Sequence, residues 1–128
     1  MRSANRLALV VMCLAAAAPV LGQERLASVR LLVQSAPLAG MRYYAAAEVW
    51  PELRIGDALE LVRESTNPHD ANAIAVSWRG RKLGYVPRRD NAVLAWGLDR
   101  GEQLQARISR IAPHSNPARR IEIEVFIE

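Results

Sequence analysis

LVRESTNPHDANAIAVSWRGRKLGYVPR, residues 61–88, is the stretch that decides the fold, because three short strand-like runs follow one another within and just before it. Large apolar residues alternate with small or polar ones around Leu59 to Leu61 and again through residues 73–78, which is typical of half-buried strands between polar turns. Arg79-Gly80 then separates the second run from the third, and glycine suits the positive φ of a two-residue hairpin turn. The stretch predicts strand, turn, strand, hairpin and strand.

The hairpin turn also predicts a register. If Trp78 pairs with Arg81, Ile74 lies opposite Tyr85, and because Ile74 belongs to the apolar face, Tyr85 would point toward the core. Only a β-bulge at Gly84 would turn the tyrosine outward.

The remainder of the chain adds three strands and one convincing helix. The helix is predicted at residues 90–100, with Asp90 as N-cap, Gly101 after its end, Val93 on its apolar face and Trp96 outside that face. Further strands are predicted at residues 25–34, which end at a Ser-Ala-Pro turn, at residues 104–108 and at residues 120–128. Six short strands without strand-helix alternation predict a mainly β fold, a small antiparallel OB-like barrel with one or two short helices.

The N-terminus has the pattern of a secretory signal. Arg2 and Arg6 precede an apolar run at residues 7–18, and small residues allow cleavage after Gly22. The apolar segment is shorter than the roughly 20 residues that span a bilayer, so no stable membrane span is expected after cleavage. We therefore predict a signal helix at residues 1–22 and one exported domain at residues 23–128, located in the periplasm or secreted.

Cysteine and charge limit the function classes open to that domain. Cys13, the chain's one cysteine, lies in the signal, which excludes disulfides and thiolate chemistry from the mature chain. Of the 17 basic residues two lie in the signal, which leaves 15 against 13 acidic residues and a mature net charge of +2. Because this balance is only mildly basic, attraction to an anionic partner must come from clustering.

Motifs for catalysis are missing from the sequence. It contains no nucleophile-elbow, zinc-protease or phosphate-loop pattern, and His69 and His114 each lack a partner at metal-ligand spacing. We therefore predict no enzyme activity, no metal site and no cofactor.

Two short sequence motifs contain residues suited to binding instead. Arg42 before Tyr43 and Tyr44 offers a phosphate donor and stacking surfaces of the kind that single-stranded nucleic acid uses. The alternative is that one tyrosine packs in the core while the other lies at its edge. The Asn67 to Asp70 segment is equally open to two interpretations, since such residues also form turns by bonding their own backbone.

A basic cluster follows these two motifs, with no acidic residue between Asp70 and Asp90. It predicts an electrostatic rim for a phosphate backbone, although charges beside a hairpin tip are also often merely solvated. Its members are Arg79, Arg81, Lys82, Arg88 and Arg89.

The order of these pieces resembles the HIRAN domain in its bacterial form. The pieces are G-x-R-Y-Y at residues 40–44, N-P-x-D-x-N-A-I-x-V at residues 67–76 and G-x-x-L-G-Y-V-P-R at residues 80–88, followed by the predicted helix. The resemblance runs from Val29 to the C-terminus. It implies a modified OB-like barrel and, by similarity to relatives within fork-remodelling DNA translocases, a pocket for the 3′ end of single-stranded DNA.

The resemblance also implies roles for individual residues. Asp70 would accept the hydrogen bond of a terminal 3′-hydroxyl, Tyr43 or Tyr44 would stack on the last bases, and Arg42 would pair with a phosphate. His69 stands where eukaryotic relatives have tyrosine, and Tyr85 where they have histidine. The matching positions are Arg42, Tyr43, Tyr44, Asn67, His69, Asp70 and Tyr85.

These observations predict a non-catalytic module that binds single-stranded DNA with a preference for a 3′-hydroxyl end. Because an exported protein does not meet replication forks, a second hypothesis is a periplasmic protein- or peptide-interaction module that uses the same groove or Trp96. The sequence leaves the protein partner and the oligomeric state undetermined.

Overall fold

Six antiparallel strands in one sheet make up most of the computed structural model, which describes residues 30–127. The predicted signal, its cleavage site and residues 25–29 of the predicted first strand lie outside these residues. The strands are β1 (Leu31–Pro37), β2 (Ala58–Arg63), β3 (Ile74–Trp78), β4 (Arg81–Tyr85), β5 (Leu104–Ile111) and β6 (Ile121–Ile127). Their order across the sheet is β1-β6-β5-β2-β3-β4.

Within residues 30–127, two short α-helices and four 3-10 turns connect the strands, as expected of a mainly β fold. The helices are α1 (Ala46–Val49) and α2 (Ala92–Asp99), and the 3-10 turns are Met41–Tyr43, Trp50–Glu52, Arg88–Asp90 and Pro117–Arg119. Within the described part of the chain, no helix is long and apolar enough to cross a membrane.

The two ends of the sheet order meet just beyond β1. Ala39 and Tyr85 exchange two backbone hydrogen bonds, each 2.9 Å long. Residues 37–39, which we call the closing segment, therefore carry the chain from the end of β1 to β4 and close the sheet on itself. Gly84 makes this approach possible, because a Cβ at that position would lie 2.3 Å from the carbonyl oxygen of Ala39. The result is the small OB-like barrel that the sequence predicted.

Aliphatic side chains from all six strands fill the barrel. The first half of β1 is exposed and does not contribute to this core. The alternation predicted for β6 is confirmed, since Ile121, Ile123 and Val125 are fully buried. They pack with side chains from the closing segment, from β3 to β5 and from α2, among them Leu38, Ile74, Val76, Leu83, Leu94 and Ile108.

The hairpin is confirmed but its register is not. Arg79 and Gly80 both adopt positive φ, 48° and 79°, as a tight hairpin turn requires. Ser77 pairs with Lys82, but Tyr85 pairs with Ala75 instead of Ile74, because Leu83 is an extra residue on β4. This β-bulge buries Leu83 and turns Tyr85 away from the core.

Two boundary predictions and the predicted burial of Val93 were also wrong. β1 runs through the predicted turn to Pro37, which a strand end tolerates because proline lacks only the N–H donor. Helix α2 begins at Ala92 with Asn91 at the N-cap position, and Asp90 belongs to the preceding 3-10 turn. Val93 is 67% exposed, whereas Trp96 is exposed as predicted, at 58%.

Candidate nucleic-acid interface

A pocket of about 240 Å³ opens where the closing segment, β4 and the β2–β3 turn meet. We call it the Asp70 pocket. Six of the residues singled out in the sequence line it: Tyr44, Asn67, His69, Asp70, Tyr85 and Arg88. Ala39, Ala73 and Val86 complete its wall. The barrel closure and the β4 bulge therefore bring together residues that are up to 44 positions apart in the chain.

The Asn67 to Asp70 turn is shaped by its own side chains. The Asn67 side-chain oxygen accepts a hydrogen bond from the backbone N–H of His69 at 2.9 Å, and the Asn67 backbone N–H donates to the Glu64 carbonyl. The Asn67 amide also donates to the Glu64 carboxylate at 3.1 Å. These are the local turn bonds that the sequence indicated, and they fix the positions of His69 and Asp70.

Asp70 is held by donors on two sides. One carboxylate oxygen accepts from the backbone N–H of Asn72 at 2.9 Å, and the other accepts from the Asn91 side chain at 2.7 Å. The Asn72 N–H and then the Asn91 amide lower the pKa of Asp70, with help from Arg88 and against partial burial. The side chain keeps 19% of its surface exposed, so the pocket presents an oriented carboxylate that is ionised at neutral pH.

Tyr85, Lys82 and Glu64 form a closed hydrogen-bond triangle beside the pocket. The Tyr85 hydroxyl donates to Glu64 at 2.8 Å, and Lys82 donates to Glu64 at 2.9 Å and to the Tyr85 oxygen at 3.0 Å. The hydrogen bond from Lys82 and those from Tyr85 and Asn67 lower the pKa of Glu64 despite partial burial. The bonds to Tyr85 and Glu64 raise the pKa of Lys82. The triangle therefore locks the Tyr85 ring in place.

Two aromatic rings form one wall of the Asp70 pocket. The rings of Tyr44 and Tyr85 meet edge to face, with centroids 5.6 Å apart and planes at 65°. The Lys82 ammonium lies over both rings, 5.2 Å from the centroid of Tyr44 and 4.9 Å from that of Tyr85. Lys82 is thus built into the wall and does not stand on an open rim.

Arg88 is the cation at the mouth of the pocket. Its guanidinium donates to the carbonyl oxygen of His69 at 2.5 Å and lies 3.8 Å from Asp70. Because the side chain is 71% exposed, a ligand can reach it. Carboxylate and guanidinium therefore stand side by side, an acceptor next to a donor of charge-assisted hydrogen bonds.

Arg42 and Tyr43, in contrast, do not line the Asp70 pocket. Tyr43 is 70% exposed, and the Arg42 guanidinium stacks 4.9 Å above its ring. Both residues line a separate recess of about 270 Å³ against the turn at residues 116–118. Of the adjacent tyrosines, Tyr44 alone faces the pocket.

The five predicted rim cations are also divided. Arg79 stacks on Trp78 at the hairpin tip, and Arg81 forms an ion pair with Glu48 of α1. Arg89 lies 3.4 Å from Asp90 and lines another groove. Lys82 and Arg88 are the members that contact the pocket or its wall.

Two residues that organise the pocket were missed in the sequence. Glu64 lies three residues before Asn67, a spacing that could have been taken as a turn signal. Asn91 is 2% exposed and is the buried polar residue in the described chain. Nothing in the local sequence indicates that it reaches Asp70, since the contact joins residues 21 apart.

Two solved structures are similar in fold to this chain. A protein from Lactobacillus plantarum, solved by a structural genomics consortium, is 28% identical, with a TM-score of 0.67 over 77% of this chain and 94% of its own. The HIRAN domain of human HLTF is 23% identical, with a TM-score of 0.58 over 76% and 77%, which is a likeness of fold. No curated protein matches the chain.

The family comparison covers nearly all of the described structure. The profile of the HIRAN domain matches residues 31–128, from the first residue of β1 onward. The HIRAN domain is a nucleic-acid-binding module and not a catalytic one. The chain belongs to the HIRAN-domain family.

Proposed function

We propose that this protein binds single-stranded DNA by its 3′ end and that the Asp70 pocket receives the terminal nucleotide. The observation that carries the proposal is the convergence of a fixed carboxylate, two aromatic rings and an exposed guanidinium on one pocket. Its volume of about 240 Å³ lies below the roughly 300–1,000 Å³ of typical small-molecule sites. Such a pocket suits one chain end better than a strand passing through.

The carboxylate of Asp70 supplies the end recognition. An ionised carboxylate offers about four lone-pair sites, and Asn72 and Asn91 occupy two of them. The remaining sites accept a hydrogen bond from a 3′-hydroxyl. A 3′-phosphate would instead bring negative charge against Asp70, so it is disfavoured.

The rings and the arginine supply the remaining contacts. Tyr44, held against Tyr85, offers a surface for the terminal base, a contact worth about 1–3 kcal/mol in single-strand binding. Arg88 pairs with the adjacent phosphate, because its guanidinium stands beside Asp70 and is exposed. Arg42 and Tyr43, in their own recess, act on nucleotides outside the pocket.

Fluorescence anisotropy tests this proposal with matched strands that end in 3′-hydroxyl or 3′-phosphate. We expect the wild-type protein to prefer the hydroxyl end and Asp70→Asn to lose that preference. Glu52→Gln removes one negative charge from the exposed turn Trp50–Glu52 and should keep it. Equal binding of both ends by the wild type, or an unchanged preference in Asp70→Asn, would overturn end recognition.

We further propose that the protein is exported and cleaved after Gly22. The positively charged start of the chain and the apolar run at residues 7–18 support this proposal, because together they have the pattern of a secretory signal. Intact mass measurement of protein recovered from the extracytoplasmic fraction should give a chain that starts at Gln23. Recovery of the uncleaved chain from the cytoplasm would contradict export.

A second candidate function, protein binding, is favoured by the outer face of α2. Val93 and Trp96 are three residues apart, so they share a face, and they are 67% and 58% exposed. Arg100 stacks on Trp96 at 3.3 Å. Trp96→Ala should weaken binding to a protein partner and leave DNA affinity unchanged, which separates the two functions.

A further inference from the structure

A second groove, lined by arginines, lies beside the Asp70 pocket. Arg89, Arg110 and Arg119 line it together with His114 and Glu122, over Pro37 at the end of β1. Its volume is about 590 Å³. We call it the arginine groove. Three guanidinium groups against one carboxylate make it attractive to an anion.

These arginines are available to a ligand. Within residues 30–127, the Arg119 side chain has no hydrogen bond or ion pair. Arg110 is 3.7 Å from Glu122 and 60% exposed, and Arg89 is 3.4 Å from Asp90 and 75% exposed. Exposed pairs of this kind contribute little to stability, so phosphate oxygens can replace their carboxylates at small cost.

The arginine groove continues from the Asp70 pocket along two parts of the chain. Pro37 lines the groove and Ala39 lines the pocket, two residues apart on the closing segment, while Leu38 between them is buried. Two residues of extended chain span about 7 Å. Arg88 at the pocket mouth and Arg89 in the groove are neighbours in one 3-10 turn. A strand that leaves the pocket past Arg88 therefore meets the groove next.

We infer that the arginine groove binds the phosphodiester backbone of single-stranded DNA on the 5′ side of the phosphate that Arg88 contacts. The inference rests on the proposed function and adds the path of the strand beyond its end. Guanidinium groups bind phosphate in bidentate fashion, and an unpaired Arg119 supplies a donor set that no protein group within the described residues uses. The groove gives affinity that grows with strand length, whereas the pocket gives end preference.

The test compares two double variants of the full chain that remove equal charge. Arg110→Gln/Arg119→Gln changes the groove, and Arg79→Gln/Arg81→Gln changes the hairpin tip. Anisotropy is measured with a 3′-hydroxyl dinucleotide and with a strand of about eight nucleotides, a length that OB folds cover. Thermal unfolding of each variant shows whether its fold is intact.

We expect the groove variant to bind the longer strand roughly tenfold more weakly and the dinucleotide as tightly as the wild type does. For the longer strand, the slope of log affinity against log salt should fall by about 1.4, since each lost phosphate contact contributes about 0.7. The hairpin-tip variant should behave like the wild type with both ligands.

Three results would overturn the inference while leaving end binding intact. They are unchanged affinity of the groove variant for the longer strand, equal losses in both double variants, and an equal loss with the dinucleotide. Failure of the wild type to bind either strand would overturn the proposed function itself, and the groove assignment with it.

Discussion

Most residues of the Asp70 pocket and all of the hairpin tip come from one stretch of sequence, residues 61–88, and they look equally polar in it. In the structure they differ in burial and in hydrogen bonding. Asp70 and Tyr85 are partly buried, and each side chain makes two hydrogen bonds. Arg79 and Arg81 stand on an exposed turn, where one stacks on Trp78 and the other pairs with Glu48. A polar side chain contributes to a recognition surface when hydrogen bonds fix its orientation, whereas an exposed charge alone is screened by water.

The strongest way to break this contrast is to remove the closure that builds the pocket. Gly84→Ala places a Cβ 2.3 Å from the Ala39 carbonyl oxygen, a contact with backbone that cannot swing aside. We expect unfolding free energy to fall by about 3 kcal/mol, the upper range for overpacking. Urea denaturation measures it.

Gly80→Ala is the matched control at the hairpin tip. A Cβ there meets nothing within 4 Å, and the cost comes from its positive φ of 79° alone, about 1–2 kcal/mol. If both alanine variants lost the same stability, the closure at Gly84 would have no special importance.

Gly84 also shows which parts of the fold could be predicted from the sequence and which could not. β2 was predicted to its end residues, and the hairpin turn was placed correctly, because alternation and turn residues are local signals. The bulge at Leu83 lies next to Gly84, where the backbone of Ala39, 45 residues away in the chain, comes close. Local pattern cannot report that contact, so the register and the direction of Tyr85 were wrong.

Within the pocket, the largest single effect should come from Asn91. Asn91→Ala removes the amide that donates to Asp70 at 2.7 Å and leaves a partly buried carboxylate short of a donor. Hydrogen bonds to charged groups contribute about 1.5–3 kcal/mol, so we expect a loss of about 2 kcal/mol. Chemical denaturation measures the loss, and the carboxyl resonance of Asp70 should titrate at higher pH.

Asn72→Ala makes the same substitution on the other side of Asp70. Asn72 donates through its backbone N–H, which alanine keeps, and the residue is exposed. This variant should be close to wild type in stability and in the titration of Asp70. A loss as large as that of Asn91→Ala would mean that the side chains, and not the donors, account for the effect.

The site was partly predictable for the same reason as the fold. Asn67 and Asp70 shape a turn through bonds to residues two or three positions away, and this chemistry is visible in the sequence. Tyr44 and Arg88 reach the pocket through tertiary structure, and the sequence could not separate them from Tyr43 and Arg89. Glu64 and Asn91 were missed because their role is to hold another residue.

A smaller effect is expected from the pH dependence of the Glu64 triangle. The pKa of Glu64 lies below its ordinary value of 4.5 in the folded protein, chiefly because Lys82 donates to it. The stability from this ionised carboxylate is therefore fully present above that value and is lost as the pH falls through the lowered pKa. Wild type should exceed Glu64→Gln in unfolding free energy at neutral pH, and the gap should narrow below about pH 4.5.

Glu52→Gln controls for the loss of one negative charge, since Glu52 is exposed and lies outside the triangle. Unfolding is followed by tryptophan fluorescence across the acidic range for all three proteins. A gap between wild type and Glu64→Gln that stayed constant down to pH 3, or one that Glu52→Gln reproduced, would contradict a contribution from the ionised triangle.

The smallest effect should come from the ion pair that Arg81 forms with Glu48. Its side chains are 47% and 72% exposed, so water screens the charges and the pair must also order two flexible side chains. A double-mutant cycle with Arg81→Gln and Glu48→Gln should give a coupling energy below about 1 kcal/mol that falls further in high salt. A coupling as large as the Asn91 effect would erase the contrast between the two regions, because an exposed cation of the hairpin tip would then be as firmly held as the Asp70 carboxylate.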